Sequence, residues 1–361
     1  MSERTKIEWC DHTWSPWRGC TKVSAGCANC YAEKLSKRNP AVLGQWGKGK
    51  PRVLAKDWEK PVRWNRDFTE AIQLADRCFP YRDRSQDNAH RPKVFPSMCD
   101  WLDEEVPIEW LARFLQLIHD TPHIDWLLLT KRPENWYNRI YDALLHVEGI
   151  TDANLAENDP ETPTGEMLNQ WLATVAGGAI PANVWVGTSV EDQPNADQRI
   201  PALLEIPAKV LFLSVEPMLG PVQLTSINQL YGDVIDCLRG YAFHDVIDHV
   251  KQPAKIDWVI VGGESGPGAR PCDVDWIRDV VRQCAKAGVP CFVKQLGSKS
   301  IESDFQHTKE CWNEHCALAG GPDDCAGEVV HDSLCLAHPK GGDPDEWPDD
   351  LRVRQFPEVV R

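Results

Sequence analysis

The chain has 361 residues, of which 42% are hydrophobic and 26% charged, a composition typical of a globular protein with a large core. No apolar run approaches the roughly 18 residues of a membrane-spanning helix, and the charged start MSERTKIEW lacks the apolar segment of a signal peptide, so we expect a cytoplasmic protein. The net charge of −15 argues against loose, non-specific binding to nucleic acid. Residues 298–350, however, contain 13 Asp/Glu and 3 Lys/Arg and account for −10 of this charge, so a basic groove elsewhere stays compatible with a nucleic-acid substrate.

Short apolar runs rich in β-branched residues recur along the chain and alternate with helical patterns. The predicted strands span residues 92–98, 124–130, 183–190, 208–215, 256–263 and 289–297, with 6–14 as a candidate seventh. Their nearly continuous apolar character is typical of strands buried on both faces of a parallel sheet. The predicted helices span residues 107–120, 133–147 and 273–288. This alternation predicts an α/β fold, namely a partial or complete parallel (β/α) barrel of six to seven βα units.

Three stretches interrupt the alternation. Residues 39–91 are rich in Trp, Arg and Lys, whereas residues 148–181 are acidic and rich in Pro and Thr. We expect both to be insertions in a barrel domain that spans residues 1–297. Residues 298–338 predict an acidic, Cys/His-rich C-terminal insertion, and residues 339–361 a C-terminal tail that packs on the barrel.

Polar side chains directly follow most of the predicted strands. They are Ser97, Cys99, Asp100, Thr130, Lys131, Arg132, Ser189, Glu191, Asp192, Glu216, Glu264, Ser265, Lys294 and Gln295. In a parallel barrel the carboxyl ends of all strands meet at one rim, and the active site is built there. We therefore expect these residues to share a site, the alternative being that they are ordinary polar loop residues.

Three cysteines in the stretch RGCTKVSAGCANCYAE, Cys20, Cys27 and Cys30, have the spacing C-x6-C-x2-C. In a long chain inside a reducing cell, the total of fourteen cysteines favours metal binding or chemistry over disulfides. Structural zinc usually takes four ligands, and Cys10 or His12 could supply a fourth. Alternatively, three thiolates hold an iron–sulfur cluster and leave one iron open to a cofactor or substrate. The loop follows the first predicted strand, which places it at the same rim as the polar strand ends.

The three-cysteine loop resembles that of the radical S-adenosylmethionine superfamily, whose cysteines follow the first strand of a partial (β/α) barrel. The superfamily's usual spacing is C-x3-C-x2-C with an aromatic residue before the last cysteine, whereas here the first gap is six residues and Tyr31 follows the last cysteine. The resemblance implies that Cys20, Cys27 and Cys30 bind a [4Fe–4S] cluster and that S-adenosylmethionine chelates its open iron. It further implies an electron donor such as flavodoxin or ferredoxin, and a 5′-deoxyadenosyl radical that abstracts hydrogen from the substrate.

A second resemblance covers nearly the whole chain. It is carried by TKIEWCDHTWSPWRGCTKVSAGCANCYAE, WLLLTKRPEN, VWVGTSVEDQ, LFLSVEPMLGPV, DWVIVGGESGPGARP and GGDPDEWPDDLRVRQFP. These segments resemble the phage-associated three-Cys-motif (DUF5131-type phage protein) family, whose members commonly have Thr in place of Cys10. The phage association implies modification of a nucleobase or nucleotide, with phage DNA as one candidate substrate, in the host cytoplasm if the protein is phage-encoded.

The predicted cofactor-binding residues are Ser97, Ser189, Glu191, Glu216, Gly262, Gly263 and Glu264. Gly262 and Gly263 would let the backbone approach a ligand closely, although a simple tight turn is the alternative. A dinucleotide-binding fingerprint does not fit this segment because Pro267 and Pro271 interrupt it. The carboxylates of Glu191 and Glu216 are candidates for the ribose hydroxyls of the cofactor or for action on the substrate. The alternative for them is a structural ion pair with Lys131 or Arg132.

A second group of cysteines and histidines lies within residues 298–338. It contains Cys311, Cys316, Cys325 and Cys335 together with His307, His315, His331 and His338. We expect a small zinc site here, with a second iron–sulfur cluster and unliganded thiols as the alternatives.

The function predicted from the sequence is that of a radical S-adenosylmethionine enzyme acting on a nucleobase or nucleotide. One alternative is a zinc-stabilised protein that binds nucleic acid or another partner without catalysis. Another is a repair-type radical lyase that acts on damaged DNA and shares the cofactor but not the substrate.

Overall fold

The computed structural model describes residues 5–81, 91–156, 173, 180–228, 233–243, 254–307, 327–334 and 336–358. Its strands are β1 (His12–Thr13), β2 (Trp17–Arg18), β3 (Val53–Leu54), β4 (Lys93–Phe95), β5 (Asp125–Thr130), β6 (Val184–Ser189), β7 (Val210–Val215), β8 (Ile227–Asn228), β9 (Val234–Asp236), β10 (Tyr241–Phe243), β11 (Trp258–Gly262), β12 (Cys272–Asp273), β13 (Cys291–Gln295), β14 (Ser300–His307) and β15 (Gly327–Ser333). The α-helices within these ranges are α1 (Tyr31–Ser36), α2 (Pro40–Leu43), α3 (Glu59–Cys78), α4 (Ile108–Asp120), α5 (Trp136–Ala156), α6 (Gln193–Leu204) and α7 (Val274–Ala287).

Seven strands form one curled parallel sheet in the order β1-β4-β5-β6-β7-β11-β13, a half-barrel. Every neighbouring pair in it is parallel, for example Trp126 opposite Val184 and Trp258 opposite Phe212. The prediction of a partial parallel barrel in an α/β fold is therefore confirmed. The Cys/His-rich insertion stays a prediction because residues 308–326 and Cys335, which include all four of its cysteines, lie outside the described residues.

The two faces of the sheet bury different side chains. On the outer face, Leu211, Leu213 and Val215 of β7 join the large core that the helices cover. On the concave face, Val210 and Phe212 of the same strand join a second cluster, which is strongly aromatic. Because side chains of a strand alternate between faces, one apolar strand can serve both cores.

The concave cluster fills the half-barrel at the amino ends of its strands. Its members are Trp9, Cys10, Leu127, Trp185, Val210, Phe212, Trp258, Ile260 and Phe292. The Phe212 ring lies over Gly187, where an added Cβ would come within 2.6 Å of the ring. Aromatic side chains therefore fill the interior at the amino ends of the strands, where they form an aromatic plug. Polar residues such as Ser214 and Lys294 lie nearer the carboxyl ends and line the cavity.

The helices between the strands begin and end close to the predicted residues. Asp273 caps α7 by accepting a hydrogen bond from the Asp275 amide, and Gly288 ends the helix with φ +69°. The predicted helix 133–147 instead begins as a 3₁₀ turn at Pro133–Asn135 and continues as α5 to Ala156. No helix in the described ranges is long and apolar enough to cross a membrane.

Residues 339–358 run along the last strand of the sheet. The Val293 amide donates to the Val353 carbonyl, and the Gln355 amide donates to the Cys291 carbonyl, so this segment covers the free edge of β13. Trp347 is buried and donates from Nε1 to the Gly341 carbonyl. The edge strand of the half-barrel is therefore hydrogen-bonded to this C-terminal segment and is not left exposed.

Candidate metal and cofactor site

One cavity of about 280 Å³ opens at the carboxyl ends of the parallel strands. Its lining includes the three loop cysteines, Cys20, Cys27 and Cys30, and five of the seven residues predicted to bind a cofactor, Ser97, Ser189, Glu216, Gly263 and Glu264. Glu191 and Gly262 do not line it. Below these polar residues the wall is apolar, formed by Ile7, Trp9, Phe95 and Leu129.

The cysteine loop is held in place by short local structures. Cys20 forms an isolated parallel bridge with Trp46, and its carbonyl accepts a hydrogen bond from the Gly47 amide. Cys27 ends a 3₁₀ turn that begins at Ala25, and Cys30 is the N-cap residue of α1. All three thiols are half-buried, so each is shielded from bulk water while still facing the cavity.

Burial dominates the electrostatics of the Cys20 and Cys30 thiols. It raises the pKa of Cys20 to about 12 and also raises the pKa of Cys30, in the latter case against backbone hydrogen bonds that favour the thiolate. Arg132 moderates the effect at Cys20, because its Nη1 lies 3.9 Å from the Cys20 sulfur. Both groups are therefore neutral thiols at pH 7 in the metal-free protein, and metal binding must release their protons.

Arg132 joins the cysteine loop to the end of β5. Its guanidinium is buried, donates to Asp100 at 2.8 Å and donates to the Thr21 carbonyl at 2.7 Å. Burial alone would lower the pKa of Arg132, but Asp100 and Cys20 outweigh this and hold it above its usual value. The permanent positive charge beside Cys20 favours the thiolate form that a metal requires.

Glu191 holds the loop from beneath and is completely buried. Its carboxylate pairs with Lys131, accepts from Arg199 at 2.9 Å and accepts from the Ser24 hydroxyl at 2.9 Å. The structure thus shows the ion pair with Lys131 that was the alternative for this residue. A Cβ added at Gly26 would lie 2.6 Å from the Glu191 carboxyl carbon, so loop and carboxylate are in direct contact.

Glu264 clamps the other side of the loop. Its two oxygens accept from Arg270 at 2.7 and 2.9 Å, and Oε2 also accepts from Asn29 at 3.0 Å. Arg270 in turn donates to the Ala25 carbonyl at 2.8 Å. Burial opposes the charge, but these hydrogen bonds prevail and lower the pKa of Glu264 to about 2.

Glu216 and Lys294 form an ion pair of 3.0 Å on the cavity wall, and both side chains are partly exposed. Glu216 directly follows β7, and Lys294 belongs to β13. The strand between them, β11, ends at Gly262, which has no side chain to fill the space between the two charged groups. A Cβ there would lie 3.1 Å from Glu216 Oε1 and 2.8 Å from the Gln295 carbonyl. The need for glycine at 262 thus comes from this close packing, whereas the sequence suggested an approach to a ligand.

Gly263 is constrained in a similar way but still lines the cavity. A Cβ added there would lie 2.9 Å from the Cβ of Cys272 and would also run into the Leu296 backbone. Cys99, four residues after β4, is a fourth thiol in the lining, and burial raises its pKa well above the usual range.

The described residues contain no preformed site for a metal ion. Among the described side chains, no group of three or more His, Cys, Asp or Glu residues converges to hold one metal ion. Cys10 does not line the cavity, and the His12 ring stacks on Trp64 at 4.1 Å, so neither completes a zinc site with the loop. A cubane cluster binds each thiolate through a different iron, which requires ligands spread around one cavity.

Comparison with known proteins gives one finding. A family model described as "Protein of unknown function (DUF5131)" matches residues 4–320. The chain belongs to the DUF5131 family. Neither a search of curated proteins nor a search of solved structures returned a match.

The DUF5131 match covers the cysteine loop, the seven-stranded sheet and the residues around the cavity. The family description names no activity, so the link to the radical S-adenosylmethionine superfamily stays a prediction. Cys311, Cys316, Cys325, Cys335 and His315 lie outside the described residues of this DUF5131 protein, and the zinc site predicted there likewise stays a prediction.

Three features of the site in this DUF5131 protein were not predicted from the sequence. Arg199 reaches Glu191 from α6, Asn29 reaches Glu264 from the cysteine loop, and Trp46 lines the cavity. Asn29 could have been found, since it lies between Cys27 and Cys30. The other two come from segments whose proximity only the fold reveals.

Proposed function

We propose that this protein is a radical S-adenosylmethionine enzyme whose [4Fe–4S] cluster is held by Cys20, Cys27 and Cys30. The supporting observation is that three half-buried thiols of one loop share a cavity with the polar carboxyl ends of parallel strands. Iron–sulfur clusters take thiolate ligands, and three of them leave one iron for S-adenosylmethionine. When bound, this pair supplies one-electron chemistry that removes a hydrogen atom from the substrate.

The residues around the loop position it. Glu191 contacts its Ser24–Gly26 side, while Glu264 and Arg270 hold Asn29 and Ala25. Two buried carboxylates thus fix the loop from opposite sides before any ligand is present. Such preorganisation matters because a ligand set that is free to move loses affinity and geometry.

The cavity wall supplies complementary polar groups. Glu216 accepts hydrogen bonds and Lys294 donates them, and their partial exposure leaves both available to a ligand's amino, carboxylate or hydroxyl groups. The apolar wall formed by Ile7, Phe95 and Leu129 excludes water from the region beneath. At about 280 Å³ the cavity is near the lower limit of small-molecule pockets.

The test is anaerobic purification and reconstitution of the full chain. The wild type should be brown and contain iron and sulfide, and after reduction with S-adenosylmethionine it should yield 5′-deoxyadenosine. Cys27→Ala should lose the colour and the iron, because this thiol is one iron's protein ligand. Cys10→Ala is the matched control and should keep both, since Cys10 does not line the cavity.

Two results would reject the proposal. One is a Cys27→Ala protein that retains the wild-type iron content. The other is a wild type that stays colourless and binds zinc, which would support the alternative of a binding protein without catalysis. A repair-type lyase would pass the same test and differ only in acting on damaged DNA.

A further inference from the structure

A basic loop lies directly beside the cysteine cavity. This lysine loop (residues 45–51, QWGKGKP) is closed by a hydrogen bond from the Gln45 amide to the Pro51 carbonyl. Trp46 lines the cavity, and Gly47 donates to the Cys20 carbonyl at 2.9 Å. The loop and the first cysteine are therefore in backbone contact.

The base of the lysine loop is rigidly anchored. Arg52, which follows it, is buried and donates twice to Asp103 at 2.8 and 3.1 Å. The same guanidinium donates to the Thr21 hydroxyl at 2.6 Å, next to Cys20. A buried charge-assisted network of this kind fixes the loop relative to the cavity mouth.

A groove follows the lysine loop away from the cavity. Its lining is Lys48, Gly49, Lys50, Pro51, Arg52, Glu105, Pro107 and Trp110. Because two residues of chain span at most about 7 Å, the groove residue Lys48 lies next to the cavity residue Trp46. The cavity and the groove are thus adjacent, and each is lined by one half-buried tryptophan, Trp46 in the cavity and Trp110 in the groove.

The charge of this surface is positive and partly uncompensated. The groove lining contains three basic residues, Lys48, Lys50 and Arg52. Lys48 and Lys50 are exposed and have no ion-pair partner among the described residues. Glu105 is the one carboxylate lining the groove, and it is occupied by Arg52 and by the Gly49 amide.

We propose that the lysine loop and its groove bind the phosphate backbone of single-stranded nucleic acid and deliver one nucleotide to the cysteine cavity. Positive grooves bordered by aromatic side chains bind single strands, since lysines contact phosphates and indoles stack on bases. A duplex does not fit into a cavity of about 280 Å³, so the reacting nucleotide must be unpaired or flipped out. The inference rests on the proposed function for the chemistry but not for the binding step.

The half-buried tryptophans distinguish this partner from an acidic protein. Acidic peptides would be attracted by Lys48 and Lys50 but have no bases to stack on Trp46 and Trp110. The tip of the loop is also open, because a Cβ added at Gly49 would meet nothing within 4 Å. A bulky phosphodiester backbone can therefore approach the main chain there.

The experiment measures the fluorescence anisotropy of a labelled single-stranded oligonucleotide of about 16 nucleotides, which is the upper end of the site sizes found for single-strand-binding domains. Titrations run over a range of salt concentrations with the wild type, Lys48→Gln/Lys50→Gln and the control Lys209→Gln/Lys255→Gln. The control lysines are exposed and precede β7 and β11 at the opposite end of the barrel. Loss of two phosphate contacts should reduce the salt slope by about 1.4 and weaken binding about 20-fold at 0.1 M salt.

Trp46→Leu should weaken binding without changing the salt slope, because stacking releases no counterions. Equal binding by both double variants, or equal binding of polyglutamate and the oligonucleotide, would overturn the proposal.

Titrations of Cys27→Ala protein separate the two proposals, because strand binding needs no cluster. A wild type that stays colourless but binds the strand rejects only the radical chemistry, and a brown wild type that does not bind it rejects only the groove.

Discussion

Two carboxylates at strand ends, Glu191 and Glu264, contact the same cysteine loop but differ in their surroundings. Glu191 is wholly enclosed and shared between Lys131 and Arg199. Glu264 reaches the cavity and is held mainly by Arg270. One carboxylate is therefore part of the core beneath the site, whereas the other is part of the wall a ligand would touch.

Glu264→Gln should destabilise the protein in a pH-dependent way. The folded-state pKa of Glu264, about 2, is below its unfolded value, so its stabilisation is present above about pH 4.5 and is lost as pH falls towards 2. At pH 7 the variant should lose about 2 kcal/mol in free energy of unfolding, the scale of hydrogen bonds to a charged group. Urea denaturation at several pH values measures this difference.

The control is Glu205→Gln, an exposed residue at the end of α6, which should change the free energy of unfolding by less than about 0.5 kcal/mol. A Glu264→Gln effect that stays constant between pH 7 and pH 3 would contradict the ionised clamp described here.

At the scale of elements, the cysteine loop depends on close contact with the strand end that carries Glu191. Gly26→Ala should push the loop away, because the new Cβ would overlap a carboxylate fixed by Lys131 and Arg199. In the metal-free protein, Cys27 and Cys30 should then react faster with a thiol reagent, and iron loading should fall at least several-fold. Reaction rates and iron content are the measurements.

Gly149→Ala serves as the matched glycine control. Gly149 lies in α5, and a Cβ added there would meet nothing within 4 Å, so this variant should keep wild-type thiol reactivity and gain up to about 1 kcal/mol. Identical thiol reactivity in Gly26→Ala and the wild type would show that the loop does not rest on Glu191.

The elements themselves were largely predictable from the sequence, and the reasons are physical. Strands such as β6 and β7 are buried on both faces, and a strand buried in this way consists of a nearly continuous run of apolar residues that the sequence displays. The first strand was overestimated because Trp9 and Cys10 are apolar yet turn into the concave cluster, leaving only His12–Thr13 in β1.

The sequence predicted which loops meet at the site, but it did not predict which side chains face the cavity. Parallel topology brings all strand carboxyl ends to one rim, so Glu216 and Glu264 could be placed near the cysteines. Whether a carboxylate is buried depends on partners from other elements. Around Glu191 these partners are Arg199 of α6 and Ser24 of the cysteine loop. Such pairings have no local signature.

At the scale of the whole molecule, the half-barrel is completed by residues from distant parts of the chain. Arg354 donates to Glu8 at 2.7 Å, and the Phe356 ring lies 5.4 Å from the rings of Trp258 and Phe292. Residues 354–356 therefore cover the lower end of the aromatic plug and link the two edges of the sheet.

Trp347→Ala tests how much this segment contributes to stability. Because Trp347 is buried against the outer core, its truncation should lower the free energy of unfolding by about 3–5 kcal/mol in urea denaturation. Phe79→Ala, at a residue 67% exposed, is the control and should cost less than about 1 kcal/mol. A loss below about 1 kcal/mol for Trp347→Ala would mean that the segment does not stabilise the barrel.

The hydrogen bond between Arg354 and Glu8 joins residues 346 positions apart, so it can form only after Arg354 has been synthesised. The cysteine loop is synthesised more than three hundred residues before the segment that closes the aromatic plug. Until that segment has docked, the thiols belong to an unfinished sheet and are open to oxidants and to competing metals. Any cofactor that these thiols bind would therefore meet the completed site only after residues 354–356 have docked.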